Sequence, residues 1–180
     1  MQTSCPAQAA LTAPERLAVM QRRIGTMTMA EQALQQPLAK FYDLLDDEQE
    51  ARLIALAEDR RKISPANAEP EAPAQGCGPA QPAALQWPAD EIETRLRPNE
   101  VQRAALKALQ EASARAIDIL SACLPKDATT PPTRLDAVEG RLEAIQQAVF
   151  LVSAALGEFY ATLSYEQKMQ FEAIGRKRTA

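Results

Sequence analysis

The chain contains no histidine, only three cysteines and six glycines, and aromatic residues make up just 4% of its 180 positions. Without histidine, the commonest general base and metal ligand is missing. No glycine-rich phosphate loop occurs, and no serine or threonine has a recognisable triad partner, so we expect a protein that is not an enzyme, with no cofactor and no metal. Glu139 and Glu143 lie one helical turn apart, which reads as solvated surface rather than a metal site. Acids and bases are interleaved and the net charge is only −4, so there is no basic footprint for nucleic acid. No run of about 18 apolar residues is present, and no membrane-spanning segment is expected. The start, Met1-Gln2-Thr3-Ser4-Cys5, lacks the apolar core of a signal peptide.

What the chain does have is helical periodicity. Hydrophobic residues make up 46% of it, much of that alanine, which favours extended helices with narrow seams. Leu135, Val138, Leu142, Ile145, Val149, Val152, Leu156, Phe159 and Leu163 alternate in spacing between three and four residues, an unbroken a/d heptad seam. A shift of 118 residues superimposes residues 12–56 on 130–174 with 13 identities in 45. These include Phe41-Tyr42 on Phe159-Tyr160 and Glu48-Gln49 on Glu166-Gln167. The earlier seam runs Leu17, Met20, Ile24, Met27, Glu31, Leu34, Leu38, Phe41 and Leu45, with Glu31 where the later one has Val149. We read an internal duplication. Residues 1–62 form the C-terminal half of a first repeat, 63–86 a Pro/Ala/Gly-rich linker, and 87–180 a complete second repeat. If the two long helices pack on each other, Glu31 belongs at their interface, opposite a polar or basic group such as Arg or Gln.

Three helix starts share one grammar: Leu45-Asp46-x-x-Gln49, Pro98-Asn99-x-x-Gln102 and Leu163-Ser164-x-x-Gln167. Each pairs a capping side chain with a glutamine that reaches back three residues. At the last of these, Ser164 is expected to contribute more than Gln167, and a buried Leu163 more than either. Pro37 falls inside the first long helix, where a kink is expected. Cys5 and Cys123 are separated by the repeat period. The simplest account pairs Cys77 with Cys123 in a disulfide and leaves Cys5 without its mate upstream; the alternative is three unrelated thiols. A disulfide implies an oxidising compartment, and with it a leader and an upstream half-repeat absent from this chain.

The capping grammar, two Phe-Tyr-x-x-Leu runs, Trp87-Pro88, the paired cysteines and Glu166-Gln167-Lys168 make the sequence resemble the LTXXQ-motif family of Spy/CpxP-like periplasmic proteins, in its two-copy form. Asp46 and Asn99 stand where the motif has a hydroxyl residue, and Pro98 where it has leucine. The resemblance implies an all-α fold of long antiparallel helical hairpins and a periplasmic location. It also implies an ATP-independent, chaperone-like activity toward unfolded or partly folded protein clients on an amphipathic surface. The alternatives are a non-catalytic accessory subunit docking on one fixed envelope partner and, more weakly, an envelope-stress or metal-response regulator. Partners would be proteins, not nucleic acid or a small-molecule substrate, and the assembly either a homodimer or an intrachain pseudo-dimer. Met20, Met27, Phe41, Tyr42, Phe159, Tyr160, Arg134 and Arg141 are the candidate client-facing residues. For the aromatic pairs, packing at the helix corner is the competing role; for the arginines, it is interhelical salt bridging.

Overall fold

The computed structural model describes residues 11–63, 88–122 and 130–178. Every element among them is an α-helix: α1 (Ala13–Tyr42), α2 (Asp47–Ile63), α3 (Ala89–Leu96), α4 (Glu100–Ala122), α5 (Pro131–Thr162) and α6 (Tyr165–Arg178). The protein is all-α. The proposed Cys77–Cys123 bridge, Cys5 and residues 64–86 of the linker lie outside the described residues.

Helix ends follow local chemistry. Both long helices open on a threonine, Thr12 and Thr130, with proline in the first turn, where its missing N–H goes unneeded. The Thr12 N–H donates to the Glu15 carboxylate at 2.7 Å, closing the first turn. Helix α3 stops at Arg97, whose φ of 45° places it in the left-handed region just before Pro98. That turn aims the chain into α4. Helix α1 runs on through Pro37 to Tyr42, three residues short of the expected end at Leu45. Two tight turns, Leu44 N–H to Phe41 O and Leu45 N–H to Tyr42 O, close it there.

Helix α5 is the axis of the molecule, with α4 along one side and α1 along another, while α3 packs on α6. The larger apolar core joins Ile92 and Leu96 of α3, Leu106 and Leu109 of α4, Leu156 and Phe159 of α5, Leu163, and Phe171 and Ile174 of α6. A smaller core joins Ile24 of α1 to Leu142 and Val149 of α5. Ala112 and Ala116 of α4 and Ala144 and Ala148 of α5 are buried as well, small enough to let helix backbones approach. Leu17 touches the core near Leu156, Ile24 meets Val149, and Gln35 reaches Glu139, so α1 runs antiparallel to α5. The two long helices thus meet within one chain.

The face by which α1 docks differs from the seam read in the sequence. Beyond its first two turns, where most residues are half-buried, the covered stripe runs Gln21, Ile24, Thr28, Glu31, Gln35, Leu38 and Tyr42, continuing the line of Leu17, with Gly25 also half-buried. Leu17, Ile24, Glu31 and Leu38 are common to both. Met20, Met27, Leu34 and Phe41, the other half of the expected seam, are exposed. At 100° per residue, the helix is turned by about 50° from the expected orientation. Along the later seam, by contrast, Leu142, Val149, Leu156 and Phe159 of α5 and Leu163 just beyond it are buried, while Val138 is exposed.

Helix α5 is also long and apolar enough, by length and composition alone, to cross a membrane, which the reading of the sequence did not expect. In the fold it is the helix that α1 and α4 cover.

Candidate functional site

All three capping boxes form as reciprocal pairs. At Asp46 the Gln49 N–H donates to the aspartate at 2.9 Å and the Asp46 N–H to the Gln49 side chain at 3.0 Å. At Asn99 the corresponding bonds are 2.9 and 3.1 Å. At Ser164 they are 3.3 and 2.9 Å. These satisfy backbone donors that a helix start leaves open.

Gln102 and Gln167 do more. The Gln102 amide donates to Thr162 O at 2.8 Å and to Gln167 Oε1 at 2.9 Å. The Gln167 amide donates to Leu96 O at 2.9 Å and to Gln102 Oε1 at 3.1 Å. Each side chain therefore uses both N–H groups, and each carbonyl oxygen accepts from a capped backbone and from the other glutamine. This clasp ties the ends of α3 and α5 to the starts of α4 and α6, with Gln102 only 5% exposed. Gln49, the glutamine of the first capping box, is exposed. Spacing alone revealed the caps but not the clasp, because the second amide partner lies 65 residues away.

Beside the clasp, Leu163 and Phe159 are buried in the larger core. Phe171 meets the rings of Phe159 and Tyr160 edge-on, at 5.6 and 6.1 Å between centroids. Lys168 Nζ sits 5.1 Å over the Tyr160 ring, a cation–π contact. Burial, reinforced by Glu172, raises the Tyr160 phenol above its ordinary pKa. Phe159 and Tyr160 thus pack the corner. At Phe41-Tyr42 the pair is inverted: Phe41 is 49% exposed and Tyr42 is buried, as the rotation of α1 requires. The two rings still meet edge-on at 6.3 Å.

Met20, Met27, Leu34 and Phe41 recur every seven residues and form an apolar ridge along the exposed side of α1, flanked at heptad spacing by Arg23, Ala30 and Pro37. Leu34 was not singled out from the sequence, although its register placed it on this line. On α2, Leu56 is exposed as well. Arg134 lies near the Tyr42 phenol; it and Arg141 are half-buried on α5. Arg16, beside the seam, pairs with Glu172 of α6 at 3.0 Å. Glu172 also accepts the Ala13 N–H at 2.7 Å, fastening the start of α1.

Glu31 does lie in the α1–α5 interface, at 4% exposure, but its surroundings correct the expectation. Opposite it stand Glu139, Asp136 and Glu143 of α5 rather than a basic group. Gln35, the polar residue nearby, is on Glu31's own helix and gives its amide to Glu139 at 3.0 Å. Neither Glu31 oxygen has a partner at full hydrogen-bond geometry, although the Gln35 side chain lies close enough to favour the charged carboxylate in part. Burial, then Glu139, push the Glu31 carboxyl above its ordinary 4.5, with Gln35 offsetting part of the effect. Farther along the seam, the buried Tyr42 hydroxyl is also unpartnered, its pKa raised by burial and by Glu50.

Among the described residues no group of three or more Cys, Asp or Glu is placed to hold a metal ion. The arrangement offers two surfaces: a sealed polar clasp that fixes helix ends, and an open apolar ridge above a strained acidic seam. In comparison with known proteins, the family model described as "LTXXQ motif family protein" matches residues 1–57 and 84–175. No curated protein and no solved structure matches the chain.

Proposed function

Because the chain belongs to the LTXXQ motif family, whose members are generally periplasmic or envelope-associated, we propose that it is a periplasmic, ATP-independent chaperone-like protein. In this reading unfolded or partly folded proteins lie along α1 and are held there without catalysis. The observation that carries it is the row of Met20, Met27, Leu34 and Phe41, four large apolar side chains on one side of α1 left open although the helix is docked. Contiguous exposed apolar surface is the usual mark of a protein-binding site. Methionine suits varied clients, since its unbranched, polarizable side chain adapts to different shapes. Arg23 on the ridge's flank adds attraction for acidic segments.

The test is suppression of aggregation of several unrelated denatured proteins, in the absence of ATP. The wild type should suppress aggregation, and a variant with all four ridge residues changed to serine should lose most of that effect while keeping its helical content. Equal suppression by both proteins would remove the ridge from the function. The seven-residue spacing also favours a second reading, an accessory subunit that docks one fixed helical partner. Saturable binding to a single envelope protein, with no effect on aggregation, would select that reading.

A further inference from the structure

The α1–α5 interface is built unlike the rest of the molecule. The α4 side of α5 is lined by apolar and small residues and closed by the fully satisfied glutamine clasp. The α1 side has Ile24, Leu142 and Val149 at its centre. Of the three described side chains whose buried polar atoms lack a hydrogen-bond partner, Glu31 and Tyr42 are on α1 and Ser153 is on α5. Glu31 occupies the position at which the second repeat has Val149, itself a core residue. A buried carboxylate with no hydrogen bond is costly when charged and far cheaper when protonated.

The principal element packed against this stretch of α1 is α5, and its field is acidic. Asp136, Glu139 and Glu143 all oppose a charge on Glu31. Arg134 and Arg141 are the cations of that stretch of α5, and both have interactions of their own. From α1, Gln35 faces the same place; it gives an amide N–H to Glu139 and offsets only part of what burial and Glu139 do to Glu31. A bound cation is a poorer answer than a proton, because no three such ligands converge here among the described residues.

The two ends of α1 are held differently. Near its start, Ala13 and Arg16 are fixed to Glu172, and Ala13 and Leu17 pack on the larger core. Beyond Ile24, α1 is tied to α5 by the Gln35–Glu139 bond, and Arg134 of α5 lies near Tyr42; Glu31 and Tyr42 lie on either side of that bond. We propose that α1 is a proton-gated flap, lying on α5 when Glu31 is neutral and swinging away from its C-terminal half when Glu31 is charged. Acidification closes it. A rise in pH opens it and uncovers the apolar side chains of Ile24, Leu142 and Val149. The device is independent of client binding, since the helix moves within one chain.

Hydrogen exchange of the full-length protein, corrected for the pH dependence of intrinsic exchange, tests this with no client present. Protection of amides 24–42 should fall as pH rises above the ordinary carboxyl value, by up to tenfold for each pH unit between the ordinary and raised Glu31 values. Amides 102–116 of α4 should stay protected throughout and serve as the control. Glu31→Gln and Glu31→Val should each keep α1 protected across the range. Retained pH dependence in both variants, or a flat wild-type profile, would overturn the flap. Parallel loss of protection in α4 would also overturn it, by showing general unfolding. Restoration of wild-type protection by calcium at neutral pH would overturn it in favour of a cation site.

Discussion

Gln167 begins as a capping residue and ends as a structural joint. As a cap alone it would count for less than Ser164. Its amide, however, also satisfies Leu96 O and is paired with the buried Gln102. Removing it leaves buried polar groups unsatisfied, which costs about 1–3 kcal/mol, whereas the loss of the Ser164 cap costs about 1 kcal/mol. Urea denaturation should therefore rank Gln167→Ala as more damaging than Ser164→Ala, the reverse of the order expected from spacing. Leu163→Ala should cost ~2–5 kcal/mol, because the side chain is buried among Phe159, Phe171 and Ile174 and its loss leaves a cavity. A Gln167→Ala cost no larger than that of Ser164→Ala would mean that the clasp contributes nothing beyond the cap.

At the scale of the helix, α1 and α5 show how similar sequence is used differently. The heptad pattern fixes which residues share a stripe, but not which neighbouring stripe becomes the contact. On α5, Val152 and Phe159 are packed in or against the core shared with α3 and α4. Their counterparts in α1, Leu34 and Phe41, are exposed, and the face that meets α5 is half polar. Pro37, where α5 has Ala155, adds a local weakness, since an interior proline removes a backbone bond. Pro37 is exposed, so Pro37→Ala should strengthen α1 without disturbing packing, by up to ~3 kcal/mol of local helix stability. Slower exchange of the amides around residues 33–42 would register it; unchanged exchange would show that α5, not the helix itself, sets the stability of α1.

For the whole molecule, Glu31 makes stability depend on pH in an identifiable direction. Its folded pKa is raised above 4.5, so the folded state holds the proton more tightly than the unfolded state. Below that ordinary value both states are protonated and there is no penalty. As pH rises from 4.5 toward the raised value, the unfolded state releases its proton first and stability falls; above the raised value the loss is complete. Thermal melts should therefore show a more stable wild type at mildly acid than at neutral pH. Glu31→Val should lose this dependence and be more stable than wild type at neutral pH, since it supplies the residue found at this position in the second repeat. A wild type more stable at neutral than at acid pH would point to other carboxylates as the dominant titrating groups.

The sequence alone determined the helical class, the positions of the helix starts and the existence of two long seamed helices. These follow from local spacing: caps act over three residues and seams over seven, so both are written in contiguous sequence. Four features depended on the tertiary structure: the rotation of α1, the inversion of Phe41 and Tyr42 relative to Phe159 and Tyr160, the glutamine clasp, and the acidic surroundings of Glu31. Each depends on which side chain from a distant segment arrives opposite. A heptad seam is compatible with two adjacent contact stripes about 50° apart, and the choice between them is made by what the partner helix presents. Glu31 could be placed at the interface from its position in the seam. Its opposition to Asp136, Glu139 and Glu143 emerged only once α1 lay antiparallel on α5 in this register.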